Sequence, residues 1–191
     1  MAEESKQSPH IPEDYAAKLK AARAQRAMQG ERRVVSILFC DVVGSTAMAE
    51  QLDPEDWAEI MDEAFDYLMA PIFRYEGTVA RLMGDAVLAF FGAPLAHEDD
   101  PQRAVLAGLG ILEGIGPFCE QVKKEYGLEF NVRVGINTGP VVVGEIGSDL
   151  QMEYTAMGDA VNLAARMEQT ASAGTVQISE ATYKHIAPIF D

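Results

Sequence analysis

Cysteine, histidine and positive charge are all scarce in this sequence. Two cysteines, Cys40 and Cys119, stand among 191 residues. That is too few for a disulfide framework, so the chain reads as a protein of a reducing compartment. The three histidines, His10, His97 and His185, lack metal-ligand spacing and read as surface residues. Fifteen lysines and arginines face 30 aspartates and glutamates, a formal net charge of −15. Such a balance excludes nucleic acid as a partner, because phosphate backbones are bound by basic patches. It leaves a nucleotide open, since a bound divalent cation reverses the local charge. The N-terminal MAEESKQSPH has neither the basic start nor the apolar middle of a secretory signal. No uninterrupted apolar run approaches the roughly 18 residues of a membrane span. The expectation is a cytoplasmic chain with no membrane partner.

What the sequence does contain is apolar material: 48% of it is hydrophobic, enough for a substantial core. The length suits one domain with a short extension. Residues 1–12 read as a disordered tail. Residues 13–30, rich in Ala, Lys and Arg, read as a connector helix stopped at Gly30. Residues 31–191 form the domain.

Within the domain, Val34 to Cys40 reads as a buried strand. LDPEDWAEIMDEAFDYLMA is a helix capped by Asp53, with Pro54 in its first turn and Asp56 at the capping-box position. Its apolar face holds Trp57, Ile60, Met61, Ala64, Phe65 and Leu68. GTVARLMGDAVLAFFG reads as two strands around a Met83-Gly84-Asp85 turn. A helix from about Pro101 to Tyr126 follows, with Val105, Leu109 and Leu112 on one side. FNVRVGINTGPVVVGEIG reads as a second hairpin turning at Thr138-Gly139-Pro140. A helix capped by Asp159, a short strand and a small helix complete the chain. The order predicts an α+β fold, a ferredoxin-like or palm-like, mostly antiparallel sheet with helices packed on one face.

Three features carry chemistry. Asp41 ends the first strand and Asp85 sits in the hairpin turn. If those strands are neighbours, both carboxylates reach one point at the sheet's edge, the oxygen environment a hard divalent cation requires. Between them they suit two metals around a phosphoryl group. Singly, a helix cap explains Asp41 and a turn explains Asp85. Val42, Val43, Gly44, Ser45 and Thr46 form a small-residue junction whose backbone amides suit a phosphate. Asn162 and Arg166, four apart, share a helix face and suit a ribose and a phosphate, although taken alone the pair is better explained by a solvated face.

In order, ILFCDVVGST, RLMGDAVLAFFG, VRVGINTG and YTAMGDAVNLAARM resemble the catalytic core of class III nucleotidyl cyclases, the adenylate and guanylate cyclase family, from about Arg32 to Ser179. AFFGAP with HEDDPQRAV resembles bacterial members attached to other domains of a longer signalling protein. The resemblance implies that Asp41 and Asp85 hold Mg²⁺ or Mn²⁺, two per site. It implies that Val42–Thr46 seats a nucleoside triphosphate, that Asn162 orients the ribose and that Arg166 stabilises charge on the α-phosphate. It also implies a homodimer with composite sites, metal aspartates from one subunit and the Asn/Arg pair and base selectors from the other. The selectors are Arg81, where adenylate cyclases usually carry Lys and guanylate cyclases Glu, and Thr155, as in the bacterial and soluble adenylate cyclase branch. ATP is the first choice of substrate. The family's C-terminal hairpin and its phosphate lysine would begin where this sequence stops, at Asp191. Two readings stay open beside it: a degenerate domain that binds nucleotide or a partner without turnover, and a cyclase for GTP or a pyrimidine triphosphate.

Overall fold

The computed structural model describes residues 11–25, 31–146, 153–157, 159–187 and 189–190. Its elements are α1 (Glu13–Gln25), β1 (Glu31–Val42), α2 (Ser45–Ala49), α3 (Pro54–Arg74), β2 (Thr78–Met83), β3 (Ala86–Phe91), α4 (Asp100–Tyr126), β4 (Val132–Ile146), β5 (Glu153–Met157), α5 (Asp159–Thr170), β6 (Val176–Ile178) and α6 (Glu180–Ile186). The sheet runs β2-β3-β1-β4-β5, with β6 beside β4. Every pairing is antiparallel except β4 with β6. This is the expected α+β architecture.

β1 is apolar on both faces, the pattern of a strand covered from both sides. Leu38, Cys40 and Val42 join the core under α3 and α4, with Leu68 and Ile111. Val35 and Ile37 face the other way and pack with Phe90, Val141, Ala160 and Ala164. Helices therefore cover both faces, not one as expected: α5 lies opposite α3 and α4. The single-face expectation overlooked that VVSILFC never alternates with polar residues.

Four local expectations need correction. Thr138-Gly139-Pro140 is not a turn, because β4 runs unbroken from Val132 to Ile146 and its hairpin partner is β5. β6 covers Val134–Ile136 and β5 covers Val142–Ile146, so Pro140 falls between them. A missing N–H breaks no ladder on that side. Asp53 is the N-cap residue of α3 but makes no side-chain cap bond, and Asp159 is the first residue of α5 instead of its cap. In α4 the buried stripe is Ala104, Gly108, Ile111, Ile115, Phe118 and Val122, while Leu109 is exposed. Gly108 lets α4 approach the sheet, since a Cβ there would come within 3.3 Å of Val134 and Val176. α4 is also long and apolar enough to cross a membrane by length and composition. Its buried stripe makes it a core helix here, because one apolar face plus small residues raises mean hydropathy as a span does.

His97 is not a plain surface residue. Its Nε2 lies 2.8 Å from Glu76 and its Nδ1 3.3 Å from the buried Asp100. Glu76 also pairs with Lys18 of α1 and, at 3.6 Å, with Arg103. Beside this cluster α1 docks on the domain. Tyr15 and Leu19 are buried with Met69 and Phe73, and the Tyr15 hydroxyl donates to the Gly77 carbonyl at 2.9 Å. Gly30 and the tail before Ile11 lie outside the described residues.

Lys18 above all holds the Glu76 carboxyl below its ordinary value of 4.5. A depressed carboxylate adds stability above its unfolded pKa and loses it as pH falls through the folded value. Acid is therefore expected to loosen α1. Protection of the amides of residues 14–25 against hydrogen exchange, relative to the intrinsic rate at each pH, should fall below about pH 4 while β1 and α4 stay protected. Glu76→Gln should show the reduced protection already at neutral pH. Protection of α1 that is insensitive to both acid and this substitution would exclude Glu76 as the anchor.

Candidate active site

Asp41 stands one residue before the end of β1. Its Cα partners are Ala86 on β3 and Arg133 on β4. Asp85 occupies the β2–β3 turn after Gly84, whose φ of 65° is left-handed and suits glycine. The Val42 amide donates to the Asp85 carbonyl at 3.3 Å, which ties the turn to the tip of β1. The two candidate ligands thus meet at one sheet edge, and the Ser45 hydroxyl donates to Asp85 Oδ2.

Electrostatics fit this pair to a cation. Burial, and next the negative charge of Asp85, push the Asp41 carboxyl above its ordinary range, against the pull of Arg133. Two half-buried carboxylates that repel each other, with oxygen donors only, form a set that a hard divalent ion relieves. Among the described residues no cluster of three or more His, Cys, Asp or Glu surrounds them. Two carboxylates suffice for an ion that also takes substrate phosphates.

The junction behind Asp41 is partly committed. The Val42 amide serves Asp85, and the Val43 amide donates to Asn131 at 2.9 Å. Gly44, at φ 74°, is the N-cap of α2, and the first intrahelical bond runs from Met48 to Gly44. The amides of Ser45, Thr46 and Ala47 therefore have no intrahelical acceptor. A cleft of about 550 Å³ opens there, with Ser45, Thr46, Gly84 and Asp85 on its polar side and Trp57 and Met61 on its apolar side.

Sequence reasoning missed Arg133 and Glu168. Arg133 Nη2 donates to Asp41 Oδ2 at 3.1 Å, and its Nε donates to Glu168 Oε1 at 2.5 Å. Glu168 is 7% exposed, and burial raises its pKa while Arg133 opposes the rise. The available signal was an arginine between two core valines on β4. Glu168 follows Ala160 and Ala164 at intervals of four on the buried face of α5.

Asn162 and Arg166 do not join the aspartates. Both are exposed on α5. They stand two residues from the buried Ala164 and Glu168, about 200° around the helix, and so point away from the sheet. Arg81 is exposed on β2, which β3 separates from the strand of Asp41. Although β2 and β5 end the sheet path on opposite sides, the two strands touch. β5 carries Thr155, paired with Gly144, so Arg81 and Thr155, the residues expected to select the base, lie on strands that touch; the Thr155 side chain lies outside the described residues.

Residues 28–189 match the family described as "Adenylate and Guanylate cyclase catalytic domain". The chain is 35% identical over 138 residues to "Adenylate cyclase 1" of Rhizobium meliloti, covering 72% of this chain and 21% of that protein. It is 30% identical over 179 residues to an "Adenylate cyclase" of Mycobacterium bovis, covering 90% of this chain and 39% of that one. It thus spans between about a fifth and two fifths of these relatives. Among solved structures, the adenylyl cyclase CyaB from P. aeruginosa superposes with a TM-score of 0.79 at 30% identity over 84% of each chain. The guanylyl cyclase Cya2 gives 0.78 at 35% identity, over 83% of this chain and 80% of that one.

Proposed function

Because this chain belongs to the class III adenylate and guanylate cyclase family, we propose that it converts a nucleoside triphosphate, ATP first, into the 3′,5′-cyclic monophosphate and pyrophosphate. The proposal includes a homodimer with two composite sites. The observation that carries it is directional. Asp41, Asp85 and Ser45 converge at one sheet edge, whereas Asn162 and Arg166 face away from it across α5. This divergence supports the reading that one chain carries two halves of a site and that a second copy supplies what each half lacks.

In this reading the ribose 3′-oxygen attacks the α-phosphorus, the bond to the β-phosphate bridging oxygen breaks, and pyrophosphate leaves. Asp41 and Asp85 would hold the Mg²⁺ or Mn²⁺ ions, which when bound neutralise phosphate charge and favour ionisation of the hydroxyl. Ser45 orients Asp85, and Arg133 orients Asp41. The first-turn amides of α2 receive phosphate oxygens, as helix N-termini do. Asn162 aligns the ribose, and Arg166 faces the charge that develops on the α-phosphate. Positioning and charge neutralisation dominate such transfers.

A cytoplasmic setting belongs to the same proposal. Cys40 is sealed in the core, where burial pushes its thiol far above the ordinary range, and Cys119 is also free. Further domains of a signalling protein are proposed because the relatives are longer than the matched segment.

Base selectivity rests on Arg81 and Thr155, since the relatives include both adenylyl and guanylyl cyclases. Arg is a wider, planar donor than Lys and serves ring nitrogens and carbonyls alike. Incubating the chain with Mn²⁺ and each of ATP, GTP, UTP and CTP, then identifying products, tests the function; absence of any cyclic product would reject it. ATP should lead, with weak discrimination. Arg81→Lys should raise the ATP to GTP ratio of kcat/KM by roughly ten-fold, the scale of one hydrogen bond in a specificity site. An unchanged ratio would place Arg81 outside the base pocket.

A further inference from the structure

The motif VRVGINTG is a seat for α5. Side chains alternate across a strand, and here the alternation divides the motif in two. Val132, Val134 and Ile136 enter the core beneath α4. Arg133, Gly135, Asn137 and Gly139 face α5. A Cβ on Gly135 would lie 2.0 Å from the Glu168 nitrogen, and one on Gly139 would lie 3.0 Å from Ala160 Cβ. The helix therefore rests directly on the backbone of β4. Such a flat seat leaves α5 free to slide along the strand unless polar contacts fix it. Arg133 fixes the distal end through Glu168. Asn137 fixes the near end: its Nδ2 donates to the Ala160 carbonyl at 2.9 Å, two residues before Asn162. Its Oδ1 accepts from the Ser179 hydroxyl at 2.6 Å, which sets the amide's orientation. Asn137 is only 2% exposed, so its bonds face no competition from water.

We infer that Asn137 is a positioning residue for the reaction: through the Ala160 carbonyl it sets the axial and rotational position of α5, and with it Asn162 and Arg166. A buried hydrophobic residue of similar size would fill the space but leave the helix without a stop, which explains an amide at this buried position. The inference rests on the proposed roles of Asn162 and Arg166. A displacement near 1 Å at reacting groups costs on the order of a hundred-fold in rate.

The test uses the full chain with Mn²⁺ and ATP and compares Asn137→Ala, Asn137→Thr and, as control, Arg166→Ala. Both Asn137 variants are too short to reach Ala160, and Thr suits a strand. Expected is a fall in kcat of roughly ten- to a hundred-fold, with KM and the half-saturating Mn²⁺ concentration within about three-fold of wild type. Amide exchange in residues 160–168 should quicken while that of β1 does not. An unchanged kcat beside a strongly impaired Arg166→Ala overturns the role of Asn137 and leaves the proposed function standing. A loss shared equally by kcat, Mn²⁺ affinity and thermal stability, or a failure of both variants to fold, makes Asn137 a plain core residue. Full activity of Arg166→Ala rejects the assignment of α5 itself.

Discussion

Replacing Asp41 or Asp85 with alanine is expected to abolish metal-dependent cyclic nucleotide formation, by at least roughly a thousand-fold, while the fold persists. Removal of a single preorganised electrostatic group already costs on the order of a hundred- to a thousand-fold, and the two carboxylates lie together where β1 ends and the β2–β3 turn begins. Persistence of the fold follows from the electrostatics. The Asp41 carboxyl is raised by burial and by Asp85, so its ionised form is disfavoured in the folded chain. A raised carboxylate lowers stability as pH climbs past its unfolded pKa, and the cost disappears in acid. Without metal, Asp85→Ala should therefore keep or raise Tm at neutral pH. It should also flatten the decline of Tm as pH climbs past the unfolded aspartate value of about 3.9. With metal the sign reverses. Mn²⁺ should raise the Tm of wild type through linkage and leave both variants unmoved. Activity assays with product identification, and thermal melts with and without Mn²⁺, check both halves. Near-normal turnover by either variant would falsify the metal assignment.

Mixing two inactive proteins should restore activity. Asp41→Ala lacks a proposed metal ligand but retains Asn162 and Arg166, and Arg166→Ala has the reverse defect. If each site draws on both chains, a heterodimer of the two variants carries one site with both lesions and one with neither. Random exchange at equal concentrations makes half of the dimers heterodimers, each with one of two sites intact, so recovery should approach about a quarter of wild-type activity. The structural basis is the roughly 200° between the buried and exposed faces of α5, with Glu168 turned toward Asp41 through Arg133 while Arg166 faces outward. Exchange is verified by differently tagged subunits, and cyclic product is measured against mixing time. A mixture with proven exchange that stays as inactive as its parents excludes the shared site.

Much of the fold was legible because its signals are local. The apolar face of α3, the Gly84-Asp85 turn and the run of β1 each arise from neighbouring residues and short-range sterics. The errors share a cause as well. Thr138-Gly139-Pro140 has the composition of a turn, yet β1 on one side and the gap between β6 and β5 on the other hold it extended. Leu109 matches the helical period of Val105 and Leu112, but the sheet surface presses on the Ala104–Gly108–Ile111 stripe instead. His97 looked isolated because Glu76 lies 21 residues away in the chain and Lys18 lies 79 away.

The sequence by itself determined most of the elements, the two aspartates, the Asn162/Arg166 pair and the family they point to, because these depend on residue type and spacing along a short stretch of chain. Only the tertiary structure decided which of them meet. It placed Asp85 against the tip of β1, committed the amides of Val42 and Val43, set Arg133 between Asp41 and Glu168, and turned Asn162 and Arg166 outward. It also showed that the alternate residues of VRVGINTG are shaped to a helix that follows them by some 20 positions. Side-chain direction and burial depend on what packs from distant parts of the chain, and no local pattern encodes that partner.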